Sequence, residues 1–477
     1  MEEHLFSEGD VTAFEVMARE TSKAGMALVI GLPHPSAYDN PKNPHHWLFG
    51  DSSTPQGQAY DRLVQYMVKR FQNIPGLLYW SSTHNAVGYE SDQNPAIISG
   101  RPDEIPTGIV NWRQRFRTLA VKVDEKMKVF DPTRPVYHHE SGAEGSFYTL
   151  NCYLDWAPIQ ERSDWFEHWQ NEGVMPLIIV EWGTPHIASW SSYRASPKGK
   201  NIWSERDSVQ QCWLNEFNSA LLGEKAFKTS EWKRITMDRL QYKTKGNKPC
   251  YYGYNCDWGL VNEDDASEVL SLYADRNYKD MRARGVTSFL PWDIDGNAFF
   301  KPLADDKQKK TLRADPFKGI KDFGVVRSDY FYCILDQYER EPRLVAKTLF
   351  DTYTDLLGWI AGPSSKEFTR VNDTFRVGEK VEKSLVILND SRRELTIEYV
   401  WKAGAESSKG SVTIAPGMRK DVPFSFKASA DVKEIVAGFR CAETGWKSKD
   451  TFALNILPAK RVAKVQSTVS VFDPEGG

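Results

Sequence analysis

The sequence has little of what marks several classes of protein. Its 61 basic and 64 acidic residues are mixed along the chain and give a net charge of −3, so no nucleic-acid-binding surface is indicated. No apolar run is long enough for a membrane-spanning helix. The 6 cysteines show no zinc-binding spacing, and no glycine-rich phosphate loop is present. We therefore expect no cofactor, no metal, no nucleic acid partner and no membrane partner.

Aromatic residues, in contrast, are abundant. The chain has 16 tryptophans, 20 tyrosines and 24 phenylalanines. Aromatic rings stack on the apolar faces of sugars, but large rings also fill protein cores. The composition therefore fits carbohydrate recognition without requiring it.

An apolar run that ends in a carboxylate is the most informative motif. Residues 177–180 are continuously apolar and rich in β-branched side chains, which is typical of a strand buried on both faces of a parallel sheet. Glu181 follows at the carboxyl end, where α/β barrels carry their catalytic groups. A second apolar strand, 77–80, leads into His84, Asn85 and Ala86. These two strand ends predict an active site at one rim of a sheet.

Helical patterns alternate with further strands. The spacing of apolar residues predicts helices at 60–71, 111–130 and 266–284. Additional strands are predicted at 26–33, 135–140, 147–153 and 285–293. Strands that alternate with helices of this length favour an α/β fold with a parallel sheet.

The two strand ends resemble those of clan A retaining glycoside hydrolases, especially the family 2, β-galactosidase-like branch. In that clan one strand ends in an Asn-Glu pair whose glutamate is the general acid/base, and a later strand ends in the nucleophilic glutamate. The stretch from Arg70 to Pro75 also resembles the family's approach to the first of these strands. The resemblance implies a (β/α)8 TIM barrel and places the nucleophile at Glu181.

The same resemblance implies roles for other strand-end residues. Asn85 would contact the sugar 2-hydroxyl, and Tyr153 would hydrogen-bond the nucleophile. The side chains expected to line the first sugar subsite are His34, His84, Trp182 and Trp292, and His138 is also expected to bind the substrate. The adjacent pair His138 and His139 can offer only one side chain inward, because neighbouring residues of a strand point to opposite faces.

Ala86 departs from the family pattern, because the acid/base glutamate should stand there. Retaining hydrolysis needs two carboxyl groups about 5 Å apart, and a methyl group transfers no proton. The alanine is an engineered substitution, a natural loss that leaves a carbohydrate-binding pseudoenzyme, or a change for which His84, Glu90 or Glu140 compensates. We favour a disabled glycosidase over a rerouted one.

The strand count predicts an incomplete barrel. Six strand-helix units are found, which correspond to strands three to eight of the family. Met1 begins shortly before a helix predicted at 10–24, and the opening residues are not a signal peptide. We therefore expect the first strands to be missing, which would leave a secreted or periplasmic location open. The sequence does not indicate the oligomeric state.

A second domain is expected, because 477 residues exceed what one core usually supports. We place the barrel domain at 1–360, with a long insertion at 188–265 before its last strand. The apolar pattern then changes from helical to alternating, which predicts an immunoglobulin-like β-sandwich at 366–458. Residues 459–477 are expected to form a tail.

The sequence thus predicts a glycosidase that acts on an oligo- or polysaccharide by double displacement, with activity lost through Ala86. The alternative is a non-catalytic protein that binds carbohydrate in the same cleft. A third hypothesis, an unrelated α/β barrel hydrolase with another carboxylate pair, explains fewer of the motifs. The sugar and the linkage are not indicated.

Overall fold

The computed structural model describes residues 12–32, 53, 55–83, 111–139, 141–143, 145–152, 165–183, 264–292, 344–364, 367–368 and 372–460. The chain divides into two compact units between Thr354 and Asp355. The predicted insertion at 188–265 lies outside the described residues except for its last two positions, and the predicted tail lies outside them except for its first two.

The first unit alternates helices with parallel strands. Its helices are α1 (Thr12–Lys23), α2 (Pro55–Phe71), α3 (Asn111–Phe130), α4 (Glu167–Glu172), α5 (Asp264–Arg284) and α6 (Leu344–Thr352). Its strands are β1 (Leu28–Gly31), β2 (Leu77–Thr83), β3 (Val136–His138), β4 (Tyr148–Cys152), β5 (Leu177–Gly183) and β6 (Ser288–Trp292). They form two sheets in the orders β1-β2-β3 and β4-β5-β6, in which every pair is parallel. This is the alternation that the sequence predicts.

Two glycines end helices that lead directly into strands. Gly25 after α1 and Gly285 after α5 have φ angles of 78° and 79°, which favour glycine because it lacks a Cβ. The amide of Gly285 donates to the carbonyl of Arg282 at 3.0 Å, and the amide of Val286 donates to that of Met281 at 2.9 Å. This pair of bonds is a Schellman motif, which satisfies the last carbonyls of the helix and turns the chain towards β6.

Alternate residues of β5 pack in opposite directions. Leu177 and Ile179 join an outer core that includes residues of α5 and α6. Ile178 and Val180 join Tyr137 in a separate cluster, against which Val29, Tyr79 and Phe147 pack. We call these six side chains the inner cluster. It draws residues from both sheets, as the interior of a small barrel does.

The second unit is an antiparallel β-sandwich. Its strands are β7 (Leu356–Ala361), β8 (Thr374–Arg376), β9 (Lys380–Asn389), β10 (Leu395–Ala403), β11 (Glu406–Ile414), β12 (Met418–Lys427), β13 (Glu434–Arg440), β14 (Lys447–Ala453) and β15 (Asn455–Leu457). One sheet has the order β11-β10-β13-β14, the other has the order β12-β9-β7, and β15 pairs with β8. A single core takes side chains from both main sheets. The immunoglobulin-like class of this sandwich stays a prediction.

The first strand of the sandwich lies within the range that the sequence assigned to the barrel domain. β7 pairs with β9 over Leu356 to Ala361, and all six of its residues are buried. Gly358 allows this packing, since a Cβ there would meet the ring of Phe439 at 2.8 Å. The sandwich therefore begins before residue 360. The sequence did not indicate this boundary, because a continuously apolar strand next to a helix does not show which sheet it joins.

A buried lysine makes the stability of the sandwich depend on pH. Lys383 on β9 is 1% exposed, its Nζ donates to the carbonyl of Asn372 at 2.8 Å, and it lies 3.8 Å from the centre of the Phe452 ring. Burial lowers its pKa from 10.5 to about 8, although Glu367 and Asp373 oppose this effect. The unfolded chain therefore holds the proton more tightly than the folded sandwich does between these two pH values.

We expect the sandwich to gain stability as the pH rises from about 8 to 10.5, by up to about 3 kcal/mol, because the unfolded state loses the proton last. Urea unfolding, followed by the fluorescence of the sandwich tryptophans, measures this gain at a series of pH values. The Lys383→Met variant is the control and should lack the gain. An equal pH dependence in both proteins would contradict the assignment to Lys383.

Candidate active site

Glu181 lies near the carboxyl end of β5, the central strand of its sheet. The four residues before it are buried, and its own side chain is 3% exposed. A carboxylate at such depth needs hydrogen-bond donors, because its desolvation is costly. The position is the one that the sequence predicts for a catalytic group at a strand end.

A bulge in β5 turns Glu181 towards the inner cluster. Strict alternation would place its side chain beside that of Ile179, in the outer core. Between Ile179 and Glu181, however, β5 has one more residue than β4, and it has an extra residue relative to β6 as well. Such an insertion reverses the alternation and re-aims the side chains that follow. Val180 and Glu181 therefore both face inward.

His139 is the hydrogen-bond partner of Glu181. Its Nε2 lies 3.0 Å from Oε1 of Glu181, and its Nδ1 lies 3.1 Å from the hydroxyl oxygen of Tyr137. The rings of Tyr137 and His139 stand edge to face, at 86° and with centres 6.2 Å apart. The three side chains thus form a continuous path of hydrogen bonds from the inner cluster to the carboxylate.

The tyrosines below this path remain protonated. Burial raises the pKa of Tyr137 well above its usual range, and the nearby Tyr79 and Glu181 raise it further. Burial also raises the pKa of Tyr79. The rings of Tyr79 and Tyr137 lie 5.6 Å apart, and Phe147 lies 5.2 Å from Tyr79. Together these rings form an aromatic group next to Glu181.

Asn151 is a second polar residue at this level. It pairs in register with Glu181 across β4 and β5, and its side chain is 0% exposed. Among the described residues neither its amide nitrogen nor its amide oxygen has a hydrogen-bond partner. An amide buried in this way costs roughly 1–3 kcal/mol, so it reduces the stability of the fold without an evident structural return.

His138 does not take the place that the sequence predicts for it. It is 0% exposed, its Nδ1 lies 2.9 Å from the hydroxyl of Ser82, and its Nε2 lies 2.8 Å from Oδ1 of Asp124 on α3. Both ring nitrogens are thus occupied on the outer face of the sheet. The structure brings His139 to the carboxylate instead. The prediction recognised that only one of the two can face inward, but it selected the wrong one.

Several predicted site residues fall outside the described part of the chain: His34, His84, Asn85, Ala86 and Tyr153. Of Trp182 and Trp292 the backbone alone is described, and Trp292 pairs in register with Gly183. Glu90 and Glu140, weighed as replacement acids, also lie outside the described residues.

The sequence prediction gave no site role to three residues: Tyr137, His139 and Asn151. A signal existed for the first two, because Tyr137 and His139 are two positions apart on a strand and so share a face. Within the described ranges no group of three metal-binding side chains occurs. The helices of the described chain include none that is long and apolar enough to cross a membrane.

Comparison with known proteins identifies the barrel. Residues 43–267 match the family model for the glycosyl hydrolases family 2, TIM barrel domain. This match confirms the predicted TIM barrel and the predicted glycosidase class of the domain. No curated protein matches the chain in a sequence comparison.

Solved structures of low sequence identity align with the chain. A β-D-mannosidase from Dictyoglomus thermophilum has 10% identity and a TM-score of 0.41, with 92% of this chain and 47% of that chain covered. A β-glucuronidase from Parabacteroides merdae has 13% identity and a TM-score of 0.32, with 97% and 49% covered. A CARDB domain from Pyrococcus furiosus has 14% identity and a TM-score of 0.17, with 22% and 88% covered. The chain spans about half the length of the two glycosidases.

Proposed function

We propose that this chain, which carries a glycosyl hydrolase family 2 barrel domain, is a retaining glycoside hydrolase with Glu181 as its nucleophile. A carboxylate oxygen of Glu181 attacks the anomeric carbon while the bond to the leaving oxygen breaks, which gives a covalent glycosyl-enzyme. The leaving oxygen departs as an anion or takes a proton from solvent. A water molecule then attacks the same carbon, loses a proton to solvent and releases Glu181 as a carboxylate. The proposed substrate is an oligo- or polysaccharide.

One observation carries this proposal. The Glu181 carboxylate lies at the carboxyl end of a central barrel strand, faces inward and has the imidazole of His139 at 3.0 Å. An inward carboxylate that is 3% exposed and held by a hydrogen-bond donor suits a nucleophile, because its orientation is fixed and little of it meets water. A glutamate that only begins a polar loop would be exposed.

The other site roles are proposed from the family resemblance. Asn85 would bind the sugar 2-hydroxyl, Tyr153 would hydrogen-bond the nucleophile, and His34, His84, Trp182 and Trp292 would line the first subsite. The proposed domains are a barrel that ends at Thr354 and contains the insertion at 188–265, an immunoglobulin-like sandwich that begins at Asp355 and serves as a spacer, and a tail at 459–477. His138 is left out of the site because its contacts lie on the outer face.

Ala86 decides how the activity has to be measured. Without an acid at this position, leaving groups that need a proton depart slowly and water is not activated. A dinitrophenolate leaves without protonation, and azide attacks without a general base. With these two reagents the unmodified chain needs neither a general acid for the first step nor a general base for the second.

The test uses 2,4-dinitrophenyl β-glycosides of several sugars with and without azide. We expect azide to accelerate turnover and to yield the β-glycosyl azide, since two successive inversions retain the configuration. In the Glu181→Ala variant azide should attack the substrate directly and yield the α-glycosyl azide. A β product that persists in this variant would remove the nucleophile assignment.

The alternative is a carbohydrate-binding pseudoenzyme that uses the same cleft, and Ala86 is the observation that favours it. It predicts measurable oligosaccharide binding by calorimetry together with no glycosyl azide from any of the glycosides. The two functions are therefore separated by one pair of measurements on the same preparation.

A further inference from the structure

We propose that Tyr137 and His139 form a positioning relay for Glu181. Tyr137 donates to Nδ1 of His139, which fixes the imidazole as the tautomer with its proton on Nε2. That Nε2–H donates to Oε1 of Glu181 and holds the carboxylate in one orientation for attack on the sugar. This inference rests on the proposed function and deepens it.

The geometry supports both hydrogen bonds. The two distances of 3.1 Å and 3.0 Å lie within the range of ordinary hydrogen bonds. Tyr137 and His139 lie on or next to β3, whereas Glu181 lies on β5 in the other sheet. The relay therefore joins the two described sheets at the level of the carboxylate, and a shift of either sheet would move the attacking oxygen.

The direction of the donors follows from the chemistry of the ends. An ionised carboxylate accepts hydrogen bonds and cannot donate, so the nucleophile requires a proton on Nε2 of His139. At the other end, burial keeps Tyr137 a neutral phenol, whose hydroxyl can donate to a bare Nδ1. A neutral imidazole satisfies both ends and adds no charge of its own beside Glu181.

Two substitutions of His139 separate the hydrogen bond from the bulk of the ring. In His139→Gln the amide nitrogen lies near the position of Nε2 and can still donate to Glu181. In His139→Asn the shorter side chain reaches only the position of Nδ1, so the donor to Glu181 is lost. Both variants remove the aromatic ring, so a loss of packing affects them alike.

A matched pair of tyrosine variants tests the other half of the relay. Tyr137→Phe removes the hydroxyl that contacts His139. Tyr79→Phe removes a hydroxyl from a neighbouring ring in the same inner cluster, and that hydroxyl forms no hydrogen bond to His139 in the described structure. If the relay exists, Tyr137→Phe should change the tautomer of the His139 imidazole, and Tyr79→Phe should leave that tautomer unchanged.

The rate of glycosylation is measured as the pre-steady-state burst of dinitrophenolate. We expect His139→Asn to slow this step by about 10²-fold, because a misplaced reacting group costs about that much, while His139→Gln keeps most of the rate. Equal rates in the two variants would overturn the relay and leave the proposed function standing. No burst from the unmodified chain, and no glycosyl azide, would overturn the proposed function together with the catalytic part of the relay.

The tautomer is measured without activity. Long-range ¹⁵N–¹H spectra of histidine-labelled protein show which ring nitrogen carries the proton, and His139→Gln assigns the signals by their loss. We expect a proton on Nε2 and none on Nδ1, a change in this pattern in Tyr137→Phe, and no change in Tyr79→Phe. A proton on Nδ1 in the unmodified protein would overturn the assigned direction of the relay.

Discussion

The Ala86→Glu variant is expected to hydrolyse phenyl glycosides about 10²–10⁴-fold faster than the unmodified chain. This is the range that a positioned general acid contributes, and a phenolate is a poor leaving group that needs the proton. With dinitrophenyl glycosides the gain in the first step should be small. The measurement is kcat/KM for the phenyl glycoside and for the dinitrophenyl glycoside of the same sugar.

Chain connectivity supports this expectation. β2 ends at Thr83, which is in register with His138, and the next residue, His139, contacts Glu181. β2 therefore ends at the rim that holds Glu181, three positions before Ala86 in the sequence. The Ala86→Gln variant is the control, because it adds the same bulk without a proton to donate. Equal rates for the glutamate and glutamine variants would contradict the acid/base assignment.

The Glu181→Gln change in the Ala86→Glu background is expected to reduce hydrolysis by about 10⁴-fold or more, because the group that forms the covalent bond is lost. Its amide oxygen still accepts the hydrogen bond from His139, so we expect little change in thermal unfolding. Activity and unfolding are measured on the same preparation. Hydrolysis that survives this change would mean that another carboxylate is the nucleophile.

The sequence was sufficient to locate the strand ends. The apolar run before Glu181 predicts a buried strand with an acid at its end, and the structure has β5 at Leu177–Gly183 with Glu181 3% exposed. The helices at 60–71 and 111–130 are likewise found as α2 and α3. Long periodic segments are predictable because their pattern is set locally by the side chains that must be buried.

The details of the site depend on information that a local pattern does not carry. The alternation of side chains along a strand predicts that only one of His138 and His139 faces inward. Which one does so depends on which face of β3 packs against α3, where Asp124 forms a hydrogen bond with His138. The bulge at Val180 depends on the pairing of β5 with both neighbours. The short helix α4 has too few residues for a periodic signal.

The extra residue in β5 separates two demands that a regular strand cannot meet together. Below it, Leu177 and Ile179 are committed to holding the helices against the sheet. Beyond the extra residue the alternation of side chains is reversed, so Glu181 does not point to the same face as Leu177 and Ile179. We therefore expect substitutions that repack Leu177 and Ile179 to leave the direction of the Glu181 side chain unchanged. Within seven residues the strand thus has one part that packs against the helices and one part that carries the inward-facing acid.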